Sequence, residues 1–250
     1  MATNPDYPVP ALEKGLDILE ALAAASVPQS LSELAGQLDR SSSELFRMLA
    51  CLEHRGYVAR EAVSGKFGLT LKLYALAHAH STRDKLLQAA RAPLETLTEK
   101  VRQSCHLSVL DHGRLLVVAQ HESPERVRLS IEVGGEFEAL RTASGRLLIA
   151  WLPEEERAKW LAKVSAPKRK TLENQLAGIR REGFSSAESE TVQGVRDLAV
   201  LVGSPATGLT AALAITRLVR REETLNEKTL LAAMLTTAQT ITQALGLSSS

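Results

Sequence analysis

Apolar residues recur at helical spacing from the start of the chain. Leu12, Leu16, Leu19 and Ala23 stand at i, i+4, i+7 and i+11, so "PALEKGLDILEALAAA" predicts a first helix with those side chains on its inner side. In "SLSELAGQLD", Ser30 and Glu33 have capping-box spacing, and Leu31, Leu34, Ala35 and Leu38 make the stripe of a short second helix. After a break at Asp39-Arg40 the pattern returns, with Ser41 and Glu44 as cap, Leu45, Met48, Leu49 and Leu52 as stripe, and Gly56 as stop. The period then drops to two in "YVAREAVSGKFGLT", which predicts a two-stranded hairpin around Ser64-Gly65.

The helical period resumes from Leu71 to about Gln103, with an interruption near Ser81 and a bend or restart expected at Pro93. Strands are expected in "CHLSVLD", "RLLVVAQ" and "RVRLSIEV", the first two joined by a His112-Gly113 turn and the third ending at Gly134-Gly135. Helices follow at about Thr142–Trp151, Pro153–Lys163 and Lys168–Glu182. The strands "DLAVLVG" and "GLTAALAIT" flank the turn "SPAT", and a last amphipathic helix runs from about Leu225 to Leu245. Three helices followed by a hairpin is the order of a winged helix-turn-helix, and helices laid on a largely antiparallel sheet make the second part α+β. The expected division is a winged-helix domain at 1–70, a linker helix at 71–82 and a second domain at 83–250.

Composition excludes several classes. With 44% hydrophobic and 24% charged residues in 250, the chain can bury real cores without disulfides. The two cysteines, Cys51 and Cys105, lack metal or redox spacing, the start has no signal-peptide pattern, and no apolar run is long enough to span a bilayer; the expected setting is cytoplasmic, with no membrane. A net charge of +1 argues against a general polyanion binder. Residues 1–82 hold seven Lys and Arg against nine Asp and Glu, whereas residues 38–72 hold six against four, so any contact with DNA has to be local.

Within that local region, a short helix, a tight turn and a second helix with a polar outer face suit the major groove. Ser42, Ser43, Phe46 and Arg47 lie at the start or on the outer face of the third predicted helix, and Ser41 to Ser43 at its N-terminus offer a phosphate site. Arg47 is the leading candidate, because a guanidinium can bridge guanine O6 and N7 or clamp a phosphate. Arg60 on the wing and Lys66 at its tip can reach flanking backbone, though Lys66 also suits a merely solvated hairpin tip. Such modest charge predicts a dimer on paired half-sites.

The run "ALEKGLDILEALA…LSELAGQLDRSSSELFRMLACLEHRGYVAREAVSGKFGLT" resembles the winged-helix domain of IclR-type bacterial transcriptional regulators. "RVRLSIEVGGEFEALRTASGRLLIAWLPEEER" and "REGFSSAESETVQGVRDLAVLV" resemble that family's effector-binding domain, so the likeness covers about residues 10–246. The resemblance implies a GAF-like second domain, operator DNA and a small organic acid as partners, a homodimer or dimer of dimers, and no cofactor. It also implies a pocket lined by Leu129, Ala143, Ser144, Gly145, Ala187, Asp197, Ala214 and Thr216. The chain departs from the family's pattern at Leu140-Arg141, where His-Ala is common, and at Asp197, where many members carry cysteine. Alanine stands at 187 in place of an aspartate, and Ala214 and Thr216 in place of serines.

Arg141 beside a helix start at Thr142–Gly145 joins a bidentate carboxylate partner to free N–H groups, which predicts an anionic guest. Alternatively, "TASG" is only the small-residue start of a packed helix, with Arg141 in solvent. Arg146 is expected at the surface, and Asp197 either meets a ligand hydroxyl or amine or neutralises Arg141, in which case the pair would act as a switch. A hydrolase-like or lyase-like enzyme with an accessory helical domain is the main alternative, but no nucleophile elbow, zinc helix, P-loop or dinucleotide fingerprint is present. The other is a ligand-binding or dimerisation module whose winged helix contacts protein. His78-Ala-His80 lacks partners for a metal, His106, His112 and His121 are expected as surface or strand residues, and Cys105 suits a core strand or a pocket-facing thiol.

Overall fold

The computed structural model of the chain describes residues 9–78, 82–189, 192–219 and 226–247. It divides into two compact units, Met1–Ser81 and Thr82–Ser250. The first holds α1 (Pro10–Ala24), α2 (Leu31–Gln37), α3 (Ser42–His54), β1 (Val58–Arg60), β2 (Phe67–Leu69) and α4 (Lys72–His78). Its core joins Ile18, Ala21 and Leu22 of α1, Leu34 of α2, Leu45 and Leu49 of α3, and Val58 and Phe67 of the hairpin. Gln29 exchanges backbone hydrogen bonds with Phe67, at 2.7 and 2.9 Å, and so ties the α1–α2 connection to the wing.

The cap at α2 is reciprocal. Ser30 Oγ accepts from the Glu33 N–H at 3.2 Å, and Glu33 Oε2 accepts from the Ser30 N–H at 2.6 Å. At α3 only half of the box forms. Ser41 Oγ accepts from the Glu44 N–H at 3.4 Å, while the Glu44 carboxylate turns to Lys14 Nζ at 2.8 Å and the Ser41 hydroxyl at 3.1 Å. The expected inner side of α1 needs a larger correction: Leu12 and Leu16 are 59% and 47% exposed. Two apolar arcs of helical period run along α1, and spacing alone cannot say which one faces the core; Ile18, Ala21 and Leu22 do.

The second unit runs α5 (Thr82–Val101), β3 (Cys105–Asp111), β4 (Arg114–His121), β5 (Glu136–Phe137), a 3₁₀ turn (Ala139–Arg141), α6 (Ala143–Ala150), α7 (Glu154–Ala162), α8 (Ala166–Glu182), β6 (Phe184–Glu188), β7 (Val195–Ser204), β8 (Leu209–Leu218) and α9 (Glu227–Ala244). The strands form one antiparallel sheet in the order β5-β4-β3-β8-β7-β6. Alternation along the strands gives the sheet two unlike faces. Leu107, Val109, Leu198, Val200, Leu213 and Ile215 pack in one core with α5 and α9. Ala199, Ala212 and Ala214 lie in the other with α6 and α8, and these small side chains leave room for α6 to sit close.

Two expectations for this unit change, and one strand is additional. α5 does not restart at Pro93, which lies inside it. Its missing hydrogen bond costs about 3 kcal/mol, which is outweighed by the burial of Leu86, Ala90, Leu94, Leu97 and Val101 along the same helix. Residues 126–133 form no strand, because the free edge of β4 is taken further on: the Gly134 N–H donates to Val117 O at 2.9 Å, and the Val117 N–H donates to Gly135 O at 3.0 Å. Of the alternating apolar positions in that stretch, Leu129 and Ile131 line a cavity, whereas Val127 and Val133 are exposed. β6 was not expected as a strand, because "FSSAE" has little β-branched or aromatic content. Among the described residues no helix is long and apolar enough to cross a membrane, and no cluster of His, Cys, Asp and Glu suits a metal. The His78-Ala-His80 pair lies outside the residues whose side chains are described.

Candidate functional site

In the first unit, α3 presents Ser42, Ser43, Phe46 and Arg47 on its exposed side, with Ser41 at the cap and Leu45 and Leu49 buried behind. Phe46 is 55% exposed, an aromatic ring with no core role. The two wing cations are held internally. Arg60 Nε donates to Gly65 O at 3.0 Å, and its guanidinium stands 5.5 Å from the Phe67 ring centre, where it fixes the turn of the wing. Lys66 Nζ lies 3.2 Å from Glu33 Oε1. The Ser30 N–H, the Ser30 hydroxyl and then Lys66 hold the Glu33 carboxyl down to about 2.

In the second unit, a cavity of about 480 Å³ opens on the α6 side of the sheet, in front of the α6 N-terminus. Val117 of β4, His106 of β3, Thr216 of β8 and Asp197 of β7 line it from the sheet, with Leu129, Ile131 and Phe137 as apolar wall and Arg141 to Ser144 at the helix start. Antiparallel register places Asp197 opposite Thr216, and His106 opposite Ala214. Thr142 caps α6, its Oγ1 accepting from the Gly145 N–H at 3.0 Å. The N–H groups of Ala143 and Ser144 find no acceptor among the described residues. Arg141 is exposed and also borders a wider groove of about 850 Å³ beside Trp160, Lys163 and Leu172.

The cavity therefore gathers Leu129, Arg141, Thr142, Ala143, Ser144, Asp197 and Thr216, whereas Gly145, Ala187 and Ala214 lie outside it. Gly145 is a packing residue. A Cβ there would fall 2.1 Å from Ala139 O, so glycine lets the 3₁₀ turn lie against α6. Ala214 is buried in the alanine-lined core under α6, and Ala187 packs at its edge, opposite Asp197 in the sheet. Arg146, expected at the surface, is 9% exposed and donates from Nε to Leu140 O at 2.8 Å. Cys105 faces the opposite core beside Thr98, and burial pushes its thiol up to about 11. His112 is exposed in the β3–β4 turn beside Asp111.

Sequence reasoning missed His106. It alternates with Cys105 and Leu107, so once those are core residues its side chain must face α6, and that periodicity was the available signal. It is 7% exposed, and burial alone presses its pKa down to about 4, which leaves the imidazole neutral at pH 7. Asp197 moves the other way. Burial raises its pKa, partly offset by the hydrogen bond from Thr216, and its Oδ1 is buried with no partner among the described residues. It does not pair with Arg141, so the ion-pair switch between them has no counterpart here.

Family models match both units. Residues 11–62 fit the IclR helix-turn-helix domain, and residues 78–243 fit the C-terminal domain of bacterial transcriptional regulators of the IclR type. The chain belongs to the IclR family. Relatives include the HTH-type transcriptional regulator KdgR of Dickeya chrysanthemi, 29% identical over 203 residues, which are 78% of this chain and 66% of that protein, just under two thirds of its length. The transcriptional repressor IclR of Escherichia coli (strain K12) is 25% identical over 206 residues, 78% of this chain and 74% of that one. Among solved structures, an IclR homolog from Microbacterium hydrocarbonoxydans complexed with 4-hydroxybenzoate aligns with a TM-score of 0.79 at 23% identity, covering 94% of this chain and 99% of the other. Pseudomonas aeruginosa HmgR aligns at 0.73 with 27% identity, covering 94% and 98%.

This IclR-family chain is thus a DNA-binding transcriptional regulator, and the hydrolase-like alternative is set aside, because the matching domains and relatives are regulators rather than enzymes. Its two charged departures from the family's pattern now have places: Arg141 beside the free N–H groups of α6, and Asp197 on the sheet.

Proposed function

We propose that this regulator binds operator DNA as a homodimer, with α3 in the major groove and the wing on flanking backbone, and responds to a small organic acid held in the second unit. The cavity carries the ligand half of this reading: a guanidinium and two unpaired helix N–H groups lie at one side of an apolar space, an arrangement that suits a carboxylate on an apolar body. The volume of about 480 Å³ is in the range of small-molecule sites. The complex of the Microbacterium homolog with 4-hydroxybenzoate supports the same class of guest. Leu129, Thr142, Ala143, Ser144, Asp197 and Thr216 complete the proposed contact set, with a cytoplasmic setting.

The dimer is supported by apolar surface on the first unit. Leu12 and Leu16 on α1, and Leu71, Leu73, Tyr74 and Leu76 at and along α4, are exposed, which is unusual outside an interface. Ser41, Ser42, Ser43, Phe46 and Arg47 are the proposed groove contacts. Arg60 and Lys66 can join them only by sharing their present partners with phosphate.

Mobility shifts on the chain's own promoter region test the DNA half. Arg47→Ala is expected to weaken specific binding about tenfold or more, in line with about 1–3 kcal/mol for a bidentate base contact. Unchanged affinity would remove Arg47 from the interface. For the ligand half, small carboxylic acids should raise the melting temperature of the wild-type protein, and Arg141→Ala should reduce that gain. An undiminished gain would mean that Arg141 is not the anchor.

A further inference from the structure

His106 and Asp197 bring to the cavity what an acid-binding site does not need. A carboxylate guest is served by Arg141 and the N–H groups of Ala143 and Ser144. At the sheet, by contrast, stand an imidazole that is 7% exposed and a carboxylate whose buried Oδ1 has no hydrogen-bond partner among the described residues. Buried polar groups are normally satisfied, and each one left bare costs about 1–3 kcal/mol. A bare acceptor and an imidazole lining one cavity are a place prepared for a polar atom of the guest.

The chemistry of that atom follows from the two groups. A neutral imidazole offers one N–H donor and one acceptor nitrogen, while an ionised carboxylate only accepts. A hydroxyl serves both: its oxygen takes the imidazole N–H and its proton goes to Asp197. A second carboxylate there would stand beside Asp197 in a poorly solvated place, where like charges repel strongly. Leu115, Val117, Leu129, Ile131 and Phe137 supply an apolar lining that suits a ring or a hydrocarbon spacer.

We propose that His106 and Asp197 form a selectivity pair that recognises a neutral hydroxyl on the effector, at the end away from its carboxylate, and rejects a dicarboxylate of similar length. The proposal rests on the acid-binding reading above and adds to it what the far end of the guest must be.

Titration calorimetry of the full chain with benzoate, 4-hydroxybenzoate and terephthalate tests it, on wild type, His106→Leu and Asp197→Asn, with thermal melts to verify that each variant folds. Wild type should bind 4-hydroxybenzoate about tenfold or more tighter than benzoate, and terephthalate more weakly than either, because a site built for a hydroxyl is left unpaired by an analogue lacking it. His106→Leu should bring the hydroxybenzoate-to-benzoate ratio to about one, and Asp197→Asn should narrow the gap to terephthalate. Equal binding of benzoate and 4-hydroxybenzoate by wild type overturns the pair and leaves the acid-binding reading standing. A ratio that survives His106→Leu overturns the role of His106 even if Asp197→Asn does not fold. No binding of any of the three acids overturns the pair together with the reading beneath it.

Discussion

Gly145→Ala is expected to lower stability by about 3 kcal/mol, the upper range for forcing extra volume into a packed site, and to abolish any response to ligand. The added Cβ would lie 2.1, 2.5 and 2.6 Å from the O, Cα and C atoms of Ala139. All three are backbone, so no side chain can swing aside. The turn Ala139–Arg141 is further pinned by the Arg141 N–H to Glu138 O at 2.9 Å and by Arg146 Nε to Leu140 O at 2.8 Å. Relief therefore requires the turn to shift bodily, taking Arg141 with it. Thermal denaturation should register a drop of roughly 6–12 °C for a domain of this size, and added acid should no longer raise the melting point. A melting temperature within a degree or two of wild type would show that the turn yields cheaply.

The second large effect is a loss of stability in mild acid that depends on His106. Its folded pKa of about 4 lies below the ordinary 6.5, so above pH 6.5 the ring is neutral in both states and its contribution is complete. As pH falls from 6.5 the unfolded chain takes up the proton first, and stability declines until the folded form also protonates near 4. At 1.36 kcal/mol per unit this approaches about 3 kcal/mol. Other titratable groups face the same cavity: Asp197, Glu138, and Glu136, which pairs with Arg114 at 3.1 Å. Asp197 acts in the opposite sense, because its raised pKa means that protonation on acidification relieves a burden of the folded state. The diagnostic quantity is accordingly the difference between wild type and His106→Leu in urea titrations across pH 4–7. That difference should change steadily below pH 6.5 and level off above it; parallel pH profiles would contradict the assignment.

Local signals were legible where one rule acts alone. Ser30 with Glu33 announced a cap that forms in full, the Ser64-Gly65 turn and its flanking alternation announced the wing, and the strands on either side of His112-Gly113 and "SPAT" lie where their period placed them. Competition between two valid patterns was not legible. Leu12 and Leu16 belong to an apolar arc as regular as the one carrying Ile18 and Leu22, and Glu44 satisfied a capping motif yet turned to Lys14, thirty residues away in sequence. Residues 126–133 alternate as a strand does, but a ladder needs a free edge, and the glycines at 134 and 135 reach β4 first. At the cavity, Leu129, Asp197 and Thr216 were indicated by resemblance, whereas His106 had no motif and was visible only through its strand register. Gly145 shows the limit of small-residue reasoning: the absence of a side chain serves the approach of a neighbouring backbone as readily as that of a ligand.

The ion pairs of the first unit join elements that are distant in sequence. Lys14–Glu44 links α1 to α3 at 2.8 Å, and Lys66–Glu33 links the wing to α2 at 3.2 Å. Being exposed, each adds little stability by itself. If α3 and the wing contact DNA as proposed, their geometric effect is larger: the pairs tie both elements to the body of the unit and reduce the conformational freedom left to lose on docking. On that reading, a unit preorganised in this way would bend less readily to suit a poorly matched groove. It would meet the wrong sequence with unmade contacts, and so gain discrimination without the dense positive charge that would hold it to every sequence alike.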